Sequence, residues 1–399
     1  MNMADMKSNC SAVVVGADLN ALGVVRSLAA GNVATVIVGA DPHGDAMRTR
    51  FGHKLVVAET GGQSLIDALT AISARCSQPP VLFLTEEKSV RTVSENRHMM
   101  LPAFRIRLPG HERLMALMHK QGFQELAEAC GASIPKTVHL RSHDDLARLG
   151  DITFPCVLKP AKKDYDYGAR FKKAYVVQSP QEVEKLYTEI APVLSDLVLQ
   201  QWIDGDDSDI YFTLQYVGDD GAAVSSFSGR KIRSWPPRIG GTASCTAAWN
   251  EAQELDAMTT QFFSKVGFTG MGSMEYKRDR RDGKFYMIEP TVARTDFQEE
   301  VATVNGVNIA LAAYRYELGM PPVASVRTQI ARTWREPISD RWAAQSNGAG
   351  PDERSRGDRI VDAYWRLNDP MPWLHMMRGR LAITQRVESL RKKLGLSSQ

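Results

Sequence analysis

Short apolar runs and helical stretches take turns along the N-terminal part of the chain. Residues 11–17 (SAVVVGA), 34–40 (ATVIVGA) and 79–85 (PPVLFLT) are apolar almost throughout, the pattern of strands buried on both faces. A weaker strand is expected over 54–58. Between them, residues 19–30 and 64–76 repeat apolar positions at helical spacing. Strands alternating with helices predict a parallel sheet joined by right-handed crossovers. Residues 101–131 continue as helices, with RLMALM at 113–118 and FQELAEAC at 123–130. Lys120 lies between those two runs.

The pattern changes after Ile134. Residues 156–158 form a strand core that ends in Lys159-Pro160. A lysine there either snorkels from a sheet edge or meets an anion. The charged stretch 162–173 contains Gly168 and reads as a loop. Ser179-Pro180-Gln181-Glu182 opens a helix, with serine at the cap and proline in the first turn. Strands are expected at 174–178, 197–202 (LVLQQW), 210–217 (IYFTLQYV), 223–232 and 242–248, with an amphipathic helix at 251–267. This half is antiparallel-rich α+β.

The stretch 271–298 contains a hairpin. Residues 272–276 and 284–289 read as strands, and Asp282-Gly283 is a strong turn signal between them. The hairpin brings Glu275 and Glu289 onto facing strands, and simple alternation puts Glu289 on the face of Met287 and Phe285. An acid on an apolar face is costly unless a cation pairs with it. Two such acids suit a hard divalent cation, Mg²⁺ above all. One exposed acid and one cross-strand ion pair is the plainer reading of the same residues.

With 399 residues the chain is too long for one core, and two or three domains are expected. A net charge of +3 at this length argues against a nucleic-acid binder. The five cysteines are scattered with no CxxC pair, which fits a reducing cytosol better than a disulfide framework or a zinc site. No secretory leader is read at the N-terminus, and no run approaches the ~20 apolar residues of a membrane span. The turn at 16–23 invites a dinucleotide reading but lacks the second glycine of G-x-G-x-x-G. Asp41 before Pro42 reads as a turn acid. Residues 347–358 are polar and glycine-rich, expected as a disordered loop. Residues 374–396 look helical and basic, with Arg378, Arg380, Arg386, Arg391, Lys392 and Lys393. A solvated helix face explains that tail, and so does contact with an anionic membrane or a partner.

The order of these pieces resembles the ATP-grasp superfamily of carboxylate–amine ligases, in the branch that includes D-aspartate ligase. The resemblance rests on the strand ending in Lys159-Pro160, the loop ending in Lys173, Gln200-Gln201-Trp202-Ile203-Asp204-Gly205, the Gly229–Arg233 segment and the acidic hairpin ending in Ile288-Glu289. It covers roughly residues 11 to 320. It implies an α/β and α+β chain: an ATP-grasp fold with a Rossmann-like N-terminal (pre-ATP-grasp) domain at 1–105. A helical connector would follow at 106–133, a small lid at 134–195, a catalytic unit at 196–330 and an extension at 331–399.

The resemblance also implies roles. Lys159, Lys120 and Lys173 (or its neighbour Lys172) would contact ATP phosphates, and Gln200, Gln201, Trp202 and Ile203 would hold adenine. Asp207 would accept from the ribose hydroxyls. Glu275 and Glu289 would be ligands of Mg²⁺, with Mn²⁺ as an alternative. Arg230, Lys231 or Arg233 would face the γ-phosphate and the acyl phosphate. Relatives read Glu-x-Asn-Pro-Arg where this chain has Glu289-Pro290-Thr291-Val292-Ala293-Arg294. Thr291 stands in the asparagine place, and Arg294 becomes a candidate for a substrate carboxylate. The expected activity is ATP-dependent amide formation from a small-molecule carboxylate and an amine, in the cytoplasm, with a homodimer as the expected assembly. The alternatives are a nucleotide-binding protein of the same fold without ligase activity, and a dinucleotide-dependent oxidoreductase.

Overall fold

The computed structural model describes residues 11–161, 170–172, 174–238, 240–346 and 359–378. The chain begins with a parallel sheet of β1 (Ala12–Val15), β2 (Thr35–Gly39), β3 (His53–Val56) and β4 (Val81–Leu84), in the order β3-β2-β1-β4. β1, β2 and β4 are buried at every position, whereas the edge strand β3 is mostly exposed. Gly16 follows β1 with a φ of +137°, and a Cβ there would lie 2.0 Å from Thr85 Oγ1. Only glycine fits such a turn. The turn packs domains together. Asn20 Nδ2 donates to the carbonyls of Thr85 and Thr295 at 3.1 and 2.7 Å, tying the first sheet to the chain just beyond the acidic hairpin.

The second sheet contains β5 (Thr137–Leu140), β6 (Cys156–Pro160), β7 (Tyr175–Val177) and β8 (Leu197–Gln201), ordered β5-β8-β6-β7 and antiparallel. The helix Pro180–Ile190 covers it, and Ser179 Oγ accepts from Glu182 N as the capping pattern predicts. Val183, Tyr187 and Ile190 pack on Leu140, Leu158 and Leu199, a small core separate from the rest.

The third sheet is the largest. It holds β9 (Ile210–Val217), β10 (Ala223–Trp235), β11 (Gly241–Ala247), β12 (Gly270–Arg278), β13 (Phe285–Val292), β14 (Arg332–Arg335) and β15 (Arg359–Asp362). The order is β13-β12-β9-β10-β11-β14-β15, antiparallel except for the parallel pair β14/β15. Alternation along β9 splits its side chains between two cores. Tyr211 joins Phe262, Phe263, Phe285 and Met287 on one side, while Phe212, Leu214 and Tyr216 join Leu22, Val25 and Ile309 on the other. Each buried ring or branched side chain is worth roughly 1.5–3 kcal/mol.

The segment expected as an extension is, where described, built into this sheet. β14 and β15 complete it, and the helix Pro337–Ser346 packs on β10 and β11. The chain then returns to the first sheet. Fully buried Asp369 accepts from Arg26 Nε at 3.0 Å, Thr49 Oγ1 at 2.7 Å and Arg50 N at 2.8 Å. The loop expected at 347–358 and the basic stretch after 378 lie outside the described residues. No helix among the described residues is long and apolar enough to cross a membrane.

Candidate active site

β12 and β13 are joined through Asp282-Gly283, with Gly283 at a φ of +71°. Glu275 lies directly opposite Glu289. The register then shifts: Tyr276 pairs with Met287, leaving Ile288 as an extra residue in β13. This bulge corrects the expected placement of Glu289. One added residue reverses the alternation, so Glu289 leaves the Phe285/Met287 face and joins Glu275. Glu275 pairs with Lys231 Nζ at 2.7 Å. Burial pushes the Glu275 carboxyl above its ordinary range, Lys231 opposes that, and Glu289 and Asp296 push it further up. Asp296 accepts from Ser273 Oγ at 2.6 Å. Glu289 itself is exposed.

Beside Glu289 is a cavity of about 230 Å³, also lined by Glu87, Lys120, Thr291 and Arg294. Lys120 opens the helix Lys120–Ala129 rather than sitting between two helices. Arg294 reaches this cavity because Ala293, at a φ of +59°, turns the chain out of β13. Lys159 comes from the end of β6 and donates to Gln200 Oε1 at 2.9 Å. Burial first, and then Lys120, lower the Lys159 pKa, while Glu289 raises it. Lys159, Lys120 and Glu289 therefore sense one another although they come from separate parts of the fold.

The strand end at β8 supplies the expected adenine-holding residues. Gln200 Nε2 donates to Thr137 Oγ1 at 3.3 Å, and Gln201 Oε1 accepts from Lys136 N at 3.3 Å. The Trp202 carbonyl accepts from Arg281 Nη2 at 2.7 Å, and Lys277 Nζ lies 5.3 Å from the Trp202 ring centroid. Ile203 is buried. Lys173 lies outside the described residues; the Lys172 backbone donates to Tyr175 Oη at 3.1 Å.

Three of the residues named from the sequence already have other partners or face elsewhere. Asp207 is buried, and its carboxylate accepts from the backbone of Ser234 at 2.9 Å and of Arg238 at 2.8 Å. It pins the loop after β10. Arg230 pairs with Tyr211 in register, so alternation turns it away from Lys231 and Glu275. Arg233 Nη1 is bound to Asp340 at 2.9 Å, and Ser244 Oγ shares that carboxylate oxygen at 2.5 Å.

Sequence reasoning passed over Glu87, Asp296 and Asp340. Asp296 carried a usable signal, an acid two positions after Arg294. Asp340 carried none, because its partner is more than a hundred residues away. No group of three His, Cys, Asp or Glu side chains among the described residues is arranged to hold a metal. A pair of facing carboxylates still suits Mg²⁺, which keeps several waters and takes further oxygens from phosphate.

No family model matches the chain. Among solved structures, phosphoribosylglycinamide synthetase from Anaerococcus prevotii superposes with a TM-score of 0.62 at 9% identity, covering 82% of this chain and 79% of that one. N5-carboxyaminoimidazole synthetase from Staphylococcus aureus gives 0.61 at 11% identity, covering 87% and 88%. The biotin carboxylase subunit of pyruvate carboxylase gives 0.58 at 16%, covering 81% and 74%. The chain has the ATP-grasp fold. An ATP-grasp relative detectable in sequence is the D-aspartate ligase of Enterococcus faecium (strain Aus0004), 27% identical over 207 residues. That match takes in 49% of this chain and 48% of the ligase, so the chain spans about half the length of the curated relative it matches. The chain's three sheets are a parallel one at the N-terminus, a small antiparallel one carrying Lys159, and a large one carrying both glutamates.

Proposed function

We propose that this chain is an ADP-forming carboxylate–amine ligase. The observation that carries the reading is the convergence of Lys159, Lys120 and Glu289 beside the facing Glu275, with Lys231 behind. A carboxylate oxygen would attack the γ-phosphorus of ATP, the bond to the bridging oxygen would break, and ADP would leave. The amine nitrogen would then add to the acyl-phosphate carbonyl, phosphate would depart, and the nitrogen would lose a proton. Lys159 and Lys120 are assigned to ATP phosphates, where an ammonium acts as a point charge. Arg294 is assigned to a substrate carboxylate through its fork. Glu275, Glu289 and the Thr291 hydroxyl are the residues that would hold Mg²⁺ or Mn²⁺, which when bound offsets phosphate charge.

D-aspartate is the first amine to test, because the curated relative is a D-aspartate ligase. The absence of a disulfide at Cys130, Cys156 and Cys245 supports placing the protein in the cytoplasm. The test is ADP release across a panel of amino acids paired with candidate carboxylates. Release that requires both partners supports the ligase. Mg-ATP binding with no release from any pair favours the second reading, a nucleotide-binding protein. The Lys231–Glu275 pair and Thr291 in the asparagine place are the features on its side.

A further inference from the structure

We infer that Lys277 binds the ribose of the nucleotide, its ammonium donating to the sugar hydroxyls. This rests on the nucleotide site proposed above and adds a residue to it. Lys277 lies on β12 two positions beyond Glu275, so the two side chains share one face of the strand. Tyr276, between them, is fully buried in the core behind. Two positions along a strand span about 7 Å. From there the Lys277 ammonium reaches to 5.3 Å from the Trp202 ring centroid. It therefore lies between the carboxylates assigned to the metal and the strand end expected to hold adenine. The sugar of a nucleotide bound across those two points falls in that interval.

Neighbouring cations are engaged. Lys231 meets Glu275 at 2.7 Å, Arg280 meets Asp209 at 2.7 Å, and Arg281 is held by Asp279 and the Trp202 carbonyl. Lys277 is half-buried, yet its ammonium has no hydrogen-bond acceptor and no ion-pair partner among the described residues. The Trp202 ring face attracts its charge and leaves its donors unused. A partly desolvated ammonium in that state is costly until an oxygen accepts from it.

The charge around Lys277 selects which oxygen. Asp204, Asp209 and Asp207 all act on it, and Arg238 opposes them more weakly. Three carboxylates around one ammonium make a poor seat for a phosphate, which they repel. A neutral diol suits the place, because a hydroxyl accepts from an ammonium while donating its own proton to a carboxylate.

The experiment is calorimetry of the full chain with Mg-ATP and with Mg-2′,3′-dideoxy-ATP, which lacks both hydroxyls. Wild type should bind ATP about tenfold more tightly than the dideoxy analogue. Lys277→Met keeps a long side chain and removes the charge. It should bind ATP about tenfold more weakly than wild type does, and should bind the two triphosphates alike. The melting temperature reports whether the variant folds, and Lys277→Leu takes its place in the same comparison if it does not. Three results would overturn the inference while leaving the nucleotide site standing: a wild type that binds both triphosphates alike, a variant with unchanged ATP affinity, or a variant weakened by the same factor for both. A wild type that binds no Mg-ATP would remove the site itself, and the inference with it.

Discussion

Glu299 offers a test of how the first domain is seated on the ATP-grasp core. Its carboxylate is buried between the helix Leu19–Ala29 and the helix Glu300–Val304, where it accepts from Ser27 Oγ at 3.3 Å. Its second oxygen has no hydrogen-bond partner. Burial, reinforced by Glu300, pushes its pKa from 4.5 up to about 8, and the Ser27 bond offsets only part of this. Glu300 has its own cations, Arg366 at 2.7 Å and Arg26 at 3.8 Å.

The folded protein thus holds this proton more tightly than the unfolded chain does. Stability from this site is complete at low pH and is lost as pH rises from about 4.5 to about 8. At 1.36 kcal/mol per pKa unit, the loss is ~1 kcal/mol at pH 5, ~4 at pH 8, and levels off near ~5 above that. Glu299→Gln keeps the shape and the Ser27 acceptor but cannot ionise. We expect its stability relative to wild type to climb by roughly 3 kcal/mol between pH 5 and pH 8. Urea denaturation of both proteins across that range measures it. A difference that stays flat with pH, or a variant that becomes the weaker protein at pH 8, would refute the reasoning.

Other expectations concern the site itself. Lys159→Ala should weaken Mg-ATP binding by at least about tenfold in calorimetry, because a desolvated phosphate loses its cation; unchanged affinity in a folded variant removes Lys159 from the site. Glu289→Gln should lower Mg²⁺-dependent ADP formation by about a hundredfold with the fold intact, and normal turnover at low Mg²⁺ would make the hairpin structural. Thr291→Val should raise the Mg²⁺ needed for half-maximal ADP release, since valine matches the shape but cannot ligate; an identical Mg²⁺ titration leaves Thr291 as packing. Asp340→Asn should cost roughly 1–3 kcal/mol in denaturation experiments, by stripping the half-buried Arg233 of its counter-charge; no change would mean the pair is idle.

The parallel sheet and the hairpin were legible because their cause is local. Buried-on-both-faces strands such as β1 and β2 are buried at every position and almost wholly apolar, and Asp282-Gly283 dictates its turn. What could not be read is whatever depends on register or on distant partners. The bulge at Ile288 moves Glu289 to the other face, and nothing in the residues 284–289 announces it. Arg230 and Lys231 are neighbours in sequence, yet only the pairing with β9 decides which meets Glu275. Nothing local in the sequence tells that the Asp207 carboxylate accepts from the backbone amides of Ser234 and Arg238, some thirty residues on. Sequence chemistry names candidate side chains, and tertiary contact decides which partners they already have.

The late strands β14 and β15 also bear on how the molecule is made. β11 pairs with β14 through Ser244–Arg335 and Cys245–Trp334, about ninety residues further along. Until that part of the chain has been synthesised, β11 is a seven-residue edge with its hydrogen-bonding groups open, buried almost throughout in the finished fold. Open apolar edges recruit other strands. A fragment ending near residue 330 would keep the second sheet, both glutamates and the cavity, yet carry that edge permanently. Loss of the last strands should therefore appear first as aggregation during expression, before any defect in nucleotide chemistry can be measured.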